Sequence, residues 1–312
     1  MQNLKELLAD YILAPKTLFT LKYGISKIRT QIAHYANSRS HHIEYASILD
    51  RNNKLRNIFK GKRCFVIGNG PSINRQNLSL LKNEVKIVCN AFLNHEILKE
   101  WQPTIYCTGS PASSHSVSDC TPFYQDLFKK ISPLFYVFHY SVLEQIFNSD
   151  VIQIPSTLGE KVLGFASYCD CSPNNYSMVS EVSDQTQIEF TRPLPGIRNT
   201  TMLSIMIAIY MGCNPIILIG CDHDYVYKLF RQEYEVEHFY PESTPEVIPK
   251  NSNHLLSIAD DIFKTYSSYD KLNRIALKQG VRILDATDNG FLDTFNKIDY
   301  TSLFQHKGGV GK

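Results

Sequence analysis

Residues 64–72 read CFVIGNGPS, and the rest of the chain is arranged around this stretch. Four apolar residues followed by turn residues predict a buried parallel strand that enters a loop. Gly68 and Gly70 allow a ligand to approach the backbone closely, and Ser72 is expected to cap the segment that follows. Free backbone N–H groups in such a loop suit a phosphate, and an ordinary strand-to-helix turn is the alternative.

The loop differs from the two common phosphate-binding fingerprints. A dinucleotide-binding G-x-G-x-x-G motif would place its third glycine where this chain has Ile73. No Gly-Lys-Ser/Thr follows the glycines, so the stretch is not a Walker A loop either.

Apolar runs alternate with helical patterns along the chain, which is typical of a parallel sheet with crossover helices. The predicted strands cover residues 64–67, 85–89, 104–107, 134–138, 216–219 and 281–284, and helices are predicted over 200–211 and 257–280. The predicted fold class is α/β: a doubly wound, mostly parallel Rossmann-like sheet with a helical N-terminal arm and an irregular lid.

The predicted organisation has three parts. Residues 1–60 form a basic, helical N-terminal arm, residues 61–304 form the nucleotide-binding domain, and residues 305–312 form a tail. Two polar stretches without a sustained period, at about 151–195 and 225–253, are predicted to be irregular insertions. Such long irregular segments in a compact domain are usually lids or binding loops.

Composition indicates a cytoplasmic globular protein. None of the 312 residues belongs to an apolar run as long as the ~18 residues that span a membrane, and the N-terminal 30 residues lack a signal-peptide core. The eight cysteines have irregular spacing and no C-x-x-C, so we expect buried, reduced thiols.

The charge distribution is uneven. Residues 1–63 hold 12 Lys/Arg and 4 Asp/Glu, whereas the remainder is acidic overall. A basic arm predicts contact with an anionic surface such as the inner membrane, and a solvated or core-packed helical arm is the alternative. The arm lacks the interleaved aromatic residues of a nucleic-acid-binding module, so no nucleic-acid partner is expected.

The residues that follow each predicted strand are the candidates for the site, because ligands bind outside the carboxyl ends of parallel strands. They are polar and mostly uncharged, which suits a nucleotide held by amide, hydroxyl and backbone groups. The set comprises Gly68, Asn69, Gly70, Ser72, Asn90, Thr108, Gly109, Ser110, Asp222, His223, Asp224, Tyr225, Asp285 and Thr287. Each of them alone also fits a turn or cap role.

Charged and titratable candidates complete the set. Asp222 and Asp224 flank His223 in a D-H-D triplet that suits Mg or Mn, with a turn-capping role for Asp222 as the alternative. Arg198 precedes a helix in a Pro/Gly-rich loop, a good place for a cation that faces a phosphate. His238 and His254 lie in or beside the second insertion, and each is a candidate general base or a structural histidine.

The chain resembles two related groups of proteins through CFVIGNGPS, VCNAF and IYCTGSP. It is similar to the MptE-like family, whose named member is the archaeal-type 6-hydroxymethylpterin diphosphokinase. It also resembles the bacterial sialyltransferases that use CMP-sialic acid and a single modified Rossmann domain. The stretches GIRNTTMLSIMIAIYMGCNPIILIGCDHDYVY and DATDNGFLDTFNKIDY extend the resemblance over roughly residues 61–304.

The resemblance implies roles for particular residues. Asn69 and Asn90 match the asparagines that contact the CMP part of the donor, and Thr200 and Thr201 match the residues that hold the sugar carboxylate and cytidine. Arg198, Tyr225 and Tyr227 are the nearest counterparts of the groups that assist the departing phosphate. The base is a lid histidine, either His238 or His254. This chain departs from the sialyltransferases at residues 222–224, where they have one acidic residue followed by aromatic residues.

Together these patterns predict a sialyltransferase-like glycosyltransferase. It moves sialic acid or a related nonulosonic acid from a CMP-activated donor to a bacterial surface glycan or glycolipid, without a metal or another cofactor. One alternative is a Mg/ATP-dependent 6-hydroxymethylpterin diphosphokinase with Asp222 and Asp224 as metal ligands. The other is a non-catalytic nucleotide-binding module.

Overall fold

The computed structural model describes residues 48–109, 117–147, 159–167, 178–224, 227, 238–240 and 254–305. Their centre is one sheet of eight parallel strands in the order β5-β4-β3-β2-β1-β6-β7-β8. The strands are β1 Cys64–Ile67, β2 Val85–Cys89, β3 Ile105–Cys107, β4 Phe135–His139, β5 Val162–Phe165, β6 Ile216–Ile219, β7 Ile283–Asp285 and β8 Asn296–Lys297. All six predicted strands are present, three of them with bounds moved by one or two residues.

The strand order places β1, which begins the stretch 64–72, at the centre of the sheet. Cys64 of β1 pairs with Val85 of β2 on one side and with Ile216 of β6 on the other. The chain therefore runs outward from β1 to β5 and then returns to the opposite side of β1. Loops after β1 and β6 leave the sheet at this change of direction, which is where doubly wound folds bind ligands.

Two hydrophobic cores lie on opposite faces of the sheet, because successive side chains of a strand alternate. In β1, Cys64 and Val66 belong to one core, and Phe65 and Ile67 belong to the other. The first core is covered by helices α3 (Thr200–Tyr210) and α4 (His254–Lys278), and the second by α1 (Val117–Lys130) and α2 (Tyr140–Phe147). Helices on both faces confirm the doubly wound class.

The sequence of helix α3 is apolar on every side because the helix is buried on every side. Every residue from Met202 to Tyr210 is buried, because the helix packs on the sheet from one side and on α4 from the other. Gly212, with φ of +75°, ends it in the left-handed conformation that glycine adopts without strain.

The prediction of an irregular insertion over 151–195 is wrong at residues 162–165, which form a strand. Strand β5 lies inside it and pairs in parallel with β4 at the sheet edge. Val179, Phe190 and Leu194 from the same stretch are buried in the first core. Gly164 interrupts the apolar run because Ile48 packs against it, so that a Cβ there would stand 2.5 Å from the Ile48 side chain.

The described end of the predicted N-terminal arm is part of the domain. Leu49 and Leu55 are fully buried, and the Asn52 amide donates to the carbonyls of Gly164 and Phe190, both at 2.7 Å. Residues 1–47, with most of the basic charge of the arm, lie outside the described residues. Within the described part of the chain, no helix has the length and apolarity to cross a membrane.

Candidate functional site

The loops after β1 and β6 interlock through their glycines. The N–H of Gly68 donates to the Ile219 carbonyl at 2.8 Å, and the N–H of Gly70 donates to the Gly220 carbonyl at 2.9 Å. A Cβ on Gly68 would stand 2.2 Å from the Gly220 carbonyl oxygen, so this contact requires glycine. The expectation that the N–H groups of this loop are open to a phosphate is therefore wrong for these two residues.

Ser72 and Asp222 join the same two loops. The N–H of Ser72 donates to Asp222 Oδ1 at 3.0 Å and its hydroxyl donates to Oδ2 at 2.7 Å. Ser72 is thus not the expected cap, since Gly70 occupies the N-cap of the following 3-10 helix. Burial raises the pKa of the Asp222 carboxyl above its ordinary value, and the Ser72 hydrogen bonds act in the opposite direction.

The environment of Asp222 does not fit the proposed Mg site. Both of its carboxylate oxygens accept from Ser72, and Gly70 lies so close that a Cβ there would stand 1.8 Å from Oδ2. No group of three or more His, Cys, Asp or Glu side chains among the described residues could hold a metal ion. The carboxylate of Asp222 is therefore used to hold the two loops together.

His223, in the middle of the triplet, is a structural residue. Its φ is +52°, and its Nε2 lies 3.0 Å from the hydroxyl of the fully buried Tyr269 of α4. Burial, with a contribution from Lys297, lowers the pKa of the His223 imidazole to about 4, so the ring is neutral near pH 7.

Neutral hydrogen-bonding side chains gather beside the interlocked loops. We call Asn69, Asn90 and Thr200 the amide–hydroxyl cluster. Asn69 Nδ2 donates to the Cys89 carbonyl at 3.2 Å, and Asn90 Nδ2 lies 3.3 Å from Thr200 Oγ1. Gly109 borders the cluster, since a Cβ on it would stand 3.0 Å from that hydroxyl oxygen. The structure therefore brings together residues that follow β1, β2 and β3 with the start of α3.

Asn69 has an acceptor for which the described residues supply no donor. Its Oδ1 atom is buried, and it has no hydrogen-bond partner among the described residues. Leaving a buried carbonyl oxygen unpaired costs about 1–3 kcal/mol, so such an atom is usually explained by a ligand or water. A ligand or a water molecule that donates a hydrogen bond would satisfy this oxygen.

The amino end of α3 is fixed on the edge of this cluster. Asn199 caps the helix by accepting from the Met202 N–H at 3.1 Å, and the Tyr269 hydroxyl donates to the same Asn199 oxygen at 3.1 Å. Thr200 and Thr201 open the helix, where N–H groups lack intrahelical partners and favour an anion. The Thr201 side chain hydrogen-bonds Cys221 and so lies toward the β6 loop. Sequence reasoning did not include Asn199, although asparagine just before a helix is a cap signal.

Arg198 precedes this helix and is held by α4. Its Nε donates to Thr265 Oγ1 at 3.2 Å, and its guanidinium forms an ion pair with Asp261. Its side chain is about one-quarter exposed. The structure thus places a cation next to the α3 amino end, as the sequence predicted, and orients it through α4.

Part of the second insertion is attached to the loop after β1. The N–H of Phe239 donates to the Asn69 carbonyl at 3.0 Å, and His238 precedes this residue. Tyr227 is less enclosed: its ring stacks on Phe291 at 5.9 Å and remains 43% exposed. The Phe239 contact was not predicted, because an aromatic residue in a stretch without a sustained period carries no local signal of its tertiary contact.

Six further candidates either serve the fold or lie outside the described residues. Asp285 is fully buried in an ion pair with Lys297, and Thr287 Oγ1 accepts from the Cys221 N–H at 3.2 Å. Thr108 is buried and donates its N–H to the Val137 carbonyl at 3.2 Å. Ser110 and Tyr225 lie outside the described residues, as does the side chain of His254, the first residue of α4.

Comparison with known proteins gives one family match. Residues 40–228, more than half of the chain, match the family described as 6-hydroxymethylpterin diphosphokinase MptE-like. No curated protein matches the sequence.

Among solved structures, the chain is similar to the sialyltransferase CstII. The Campylobacter jejuni enzyme in complex with the substrate analogue CMP-3FNeuAc has 14% identity and a TM-score of 0.40, over 76% of this chain and 86% of that chain. The same coverage and identity, with a TM-score of 0.39, relate it to the enzyme in complex with a trisaccharide acceptor and CMP.

Proposed function

This chain belongs to the MptE-like family, and we propose that it is a glycosyltransferase. Its donor is a CMP-activated acidic sugar, sialic acid or a related nonulosonic acid, and its acceptor is a hydroxyl of a bacterial surface glycan or glycolipid. It works without a metal ion or another cofactor.

The observation that supports this most strongly is the unpaired Oδ1 of Asn69. A cytidine nucleotide offers N–H and O–H donors on its base and ribose, and one of them would satisfy this oxygen. Asn90 and Thr200 add amide and hydroxyl groups of the same neutral kind at 3.3 Å from each other. A site with these groups suits a nucleoside monophosphate better than a triphosphate, which needs several cations.

The residues support a direct displacement. The acceptor hydroxyl loses its proton to a lid histidine, His238 or His254, while its oxygen bonds to the anomeric carbon of the donor sugar. The bond from that carbon to the phosphate oxygen breaks, and CMP leaves with the electron pair. Arg198 and the amino end of α3 stabilise the charge that develops on the leaving phosphate and the sugar carboxylate.

The family description favours a second candidate, a 6-hydroxymethylpterin diphosphokinase. That reaction moves a diphosphate from ATP and uses Mg to neutralise the phosphates. The paired state of Asp222 argues against this candidate, because its two oxygens are engaged by Ser72. Hence the two functions differ in nucleotide and in their need for Mg.

Calorimetric titration of CMP and ATP, each with Mg and with EDTA, separates the two. We expect CMP to bind equally well in both conditions and Asn69→Ala to lower its affinity about tenfold, as expected for loss of one hydrogen bond. Asn53→Ala, an exposed asparagine that bonds only within its own turn, is the matched control. Release of CMP from CMP-sialic acid in the presence of an acceptor glycan then tests transfer. Binding of ATP alone, and only with Mg, would overturn the proposal in favour of the kinase.

We also propose that the enzyme works on the cytoplasmic face of the inner membrane and that its basic residues 1–47 contact anionic lipid. Flotation with vesicles of phosphatidylglycerol and phosphatidylethanolamine tests this. The full chain should float at low salt and lose binding at high salt, and a variant without residues 1–47 should stay in solution. If both chains bind the vesicles to the same extent, residues 1–47 do not contact the lipid.

A further inference from the structure

We propose that Phe239 is a positioning residue that seats His238 at the donor site, and that His238, not His254, is the base. This inference rests on the proposed transferase function. It starts from how Phe239 is bound. Its N–H donates to the Asn69 carbonyl at 3.0 Å, and its own carbonyl accepts from Asn74 Nδ2 at 3.1 Å. Both main-chain groups are thus fixed to the segment that follows β1.

The Phe239 ring is held by the turn that follows β2. Its centroid lies 5.9 Å from the ring of Phe92 and 5.0 Å from that of His95. This turn begins at Asn90, so one residue bridges the two segments that carry Asn69 and Asn90. Aromatic contacts of this kind contribute beyond their buried area, which makes the ring the main anchor of residues 238–240.

The ring of Tyr240 contacts the rings of both Phe239 and His238. Its centroid lies 4.8 Å from that of Phe239, with an edge-on interplanar angle of 81°. The rings of His238 and Tyr240 stack at 5.2 Å with an interplanar angle of 10°. The Phe239 ring, held by Phe92 and His95, thus supports Tyr240 edge-on, and Tyr240 in turn stacks on His238. His238 is therefore oriented through Phe239, next to the residue whose side chain meets the nucleotide.

His254 is placed differently. It opens α4, seven residues before Asp261, which pairs with Arg198. At 1.5 Å per residue, His254 lies about 10 Å along the helix from that pair. The side chain of His254 is not among those described, and the described contacts connect the segment of His238 to the loop that carries Asn69.

A first experiment needs no activity. Diethyl pyrocarbonate modification of His238, followed by mass spectrometry, is compared in the substrate-free wild type, Phe239→Ala and Phe239→Tyr. Loss of the anchor should make His238 react several-fold faster in Phe239→Ala, and the tyrosine ring should restore the wild-type rate. Phe263→Ala, which removes an aromatic ring that is 71% exposed on α4, is the matched control. An unchanged rate in Phe239→Ala would show that Phe239 does not seat His238.

A second experiment tests the role in transfer by a double-mutant cycle. Misplacement of the base should lower kcat about 100-fold in Phe239→Ala, with unchanged affinity for CMP. In the His238→Ala background, Phe239→Ala should cause no further loss, because it acts only through that imidazole. A loss of the same size in both backgrounds would overturn the positioning role, and a loss with His254→Ala as large as with His238→Ala would overturn the choice of base. Absence of both CMP binding and transfer in the wild type would overturn the proposed function, and the modification rates would still decide whether Phe239 seats His238.

Discussion

Ser72 donates two hydrogen bonds to the carboxylate of Asp222, one from its N–H at 3.0 Å and one from its hydroxyl at 2.7 Å. The two residues are 150 positions apart in sequence, and both are buried. Their contact joins the segment after β1 to the segment after β6, where the two segments leave the sheet. An acidic residue that looks like a metal ligand is therefore a connection between the two halves of the sheet.

The first prediction concerns this connection. Asp222→Ala should lower the free energy of unfolding by about 3 kcal/mol, because it removes two charge-assisted hydrogen bonds and leaves buried donors unpaired. Ser72→Ala should cost about 1.5 kcal/mol. Urea denaturation of both variants and of the double variant measures the coupling. If the two losses simply add, the hydrogen bonds do not connect the loops.

The second prediction concerns pH and His223. Because burial lowers the pKa of this imidazole to about 4, the unfolded chain takes up its proton near the ordinary value of 6.5, whereas the folded chain does not. Stability should therefore fall as pH falls from about 6.5 to about 4, by about 3 kcal/mol from this residue.

His223→Asn isolates that contribution, because asparagine tolerates the φ of +52°. Urea unfolding of wild type and variant across this pH range should give curves that converge toward pH 4. Parallel curves would show that His223 takes up its proton as readily in the folded chain as in the unfolded chain.

The third prediction concerns the interlocked glycines. Gly68→Ala should prevent stable folding or cost more than about 3 kcal/mol, because its Cβ would stand 2.2 Å from a backbone oxygen that cannot move aside. Gly61→Ala is the control. No atom lies within 4 Å of its Cβ, and its φ of +74° should cost only about 1 kcal/mol. Thermal unfolding compares the two, and equal losses would contradict the interlock.

The fourth prediction concerns Arg198 and rests on the proposed transfer reaction. Arg198→Ala should lower kcat about 100-fold, since it removes a cation that stabilises the leaving phosphate. Asp261→Ala should change stability by less than about 1 kcal/mol because the ion pair is partly exposed. It should also retain most activity, since Thr265 still orients the guanidinium. Steady-state transfer kinetics would contradict this role if Asp261→Ala lost as much activity as Arg198→Ala.

Local sequence patterns were sufficient to predict most strands of the sheet. Continuous apolar runs such as 64–67 and 216–219 identify buried parallel strands because both faces of such a strand are covered. Strand β5 escaped this reasoning, since Gly164 lies in its middle and its apolar run is short.

The candidate site was predicted by position and only partly by role. The rule that ligands bind at the carboxyl ends of strands led to Asn69 and Asn90. Thr200 came from the family resemblance, and it does lie beside Asn90. The same rule could not separate the two asparagines from Asp285 and Thr287, which follow a strand equally closely and serve the fold.

The sequence by itself determined the fold class, the central strand and the end of the sheet where polar groups collect, because these depend on runs of a few neighbouring residues. Only the tertiary structure decided which polar groups are already satisfied. Asp222 accepts two hydrogen bonds from a serine 150 positions away, and the N–H of Phe239 donates to the carbonyl of Asn69 in a distant loop. Which residues become partners depends on how distant strands and loops meet in the folded chain. A short sequence pattern carries no information about those contacts.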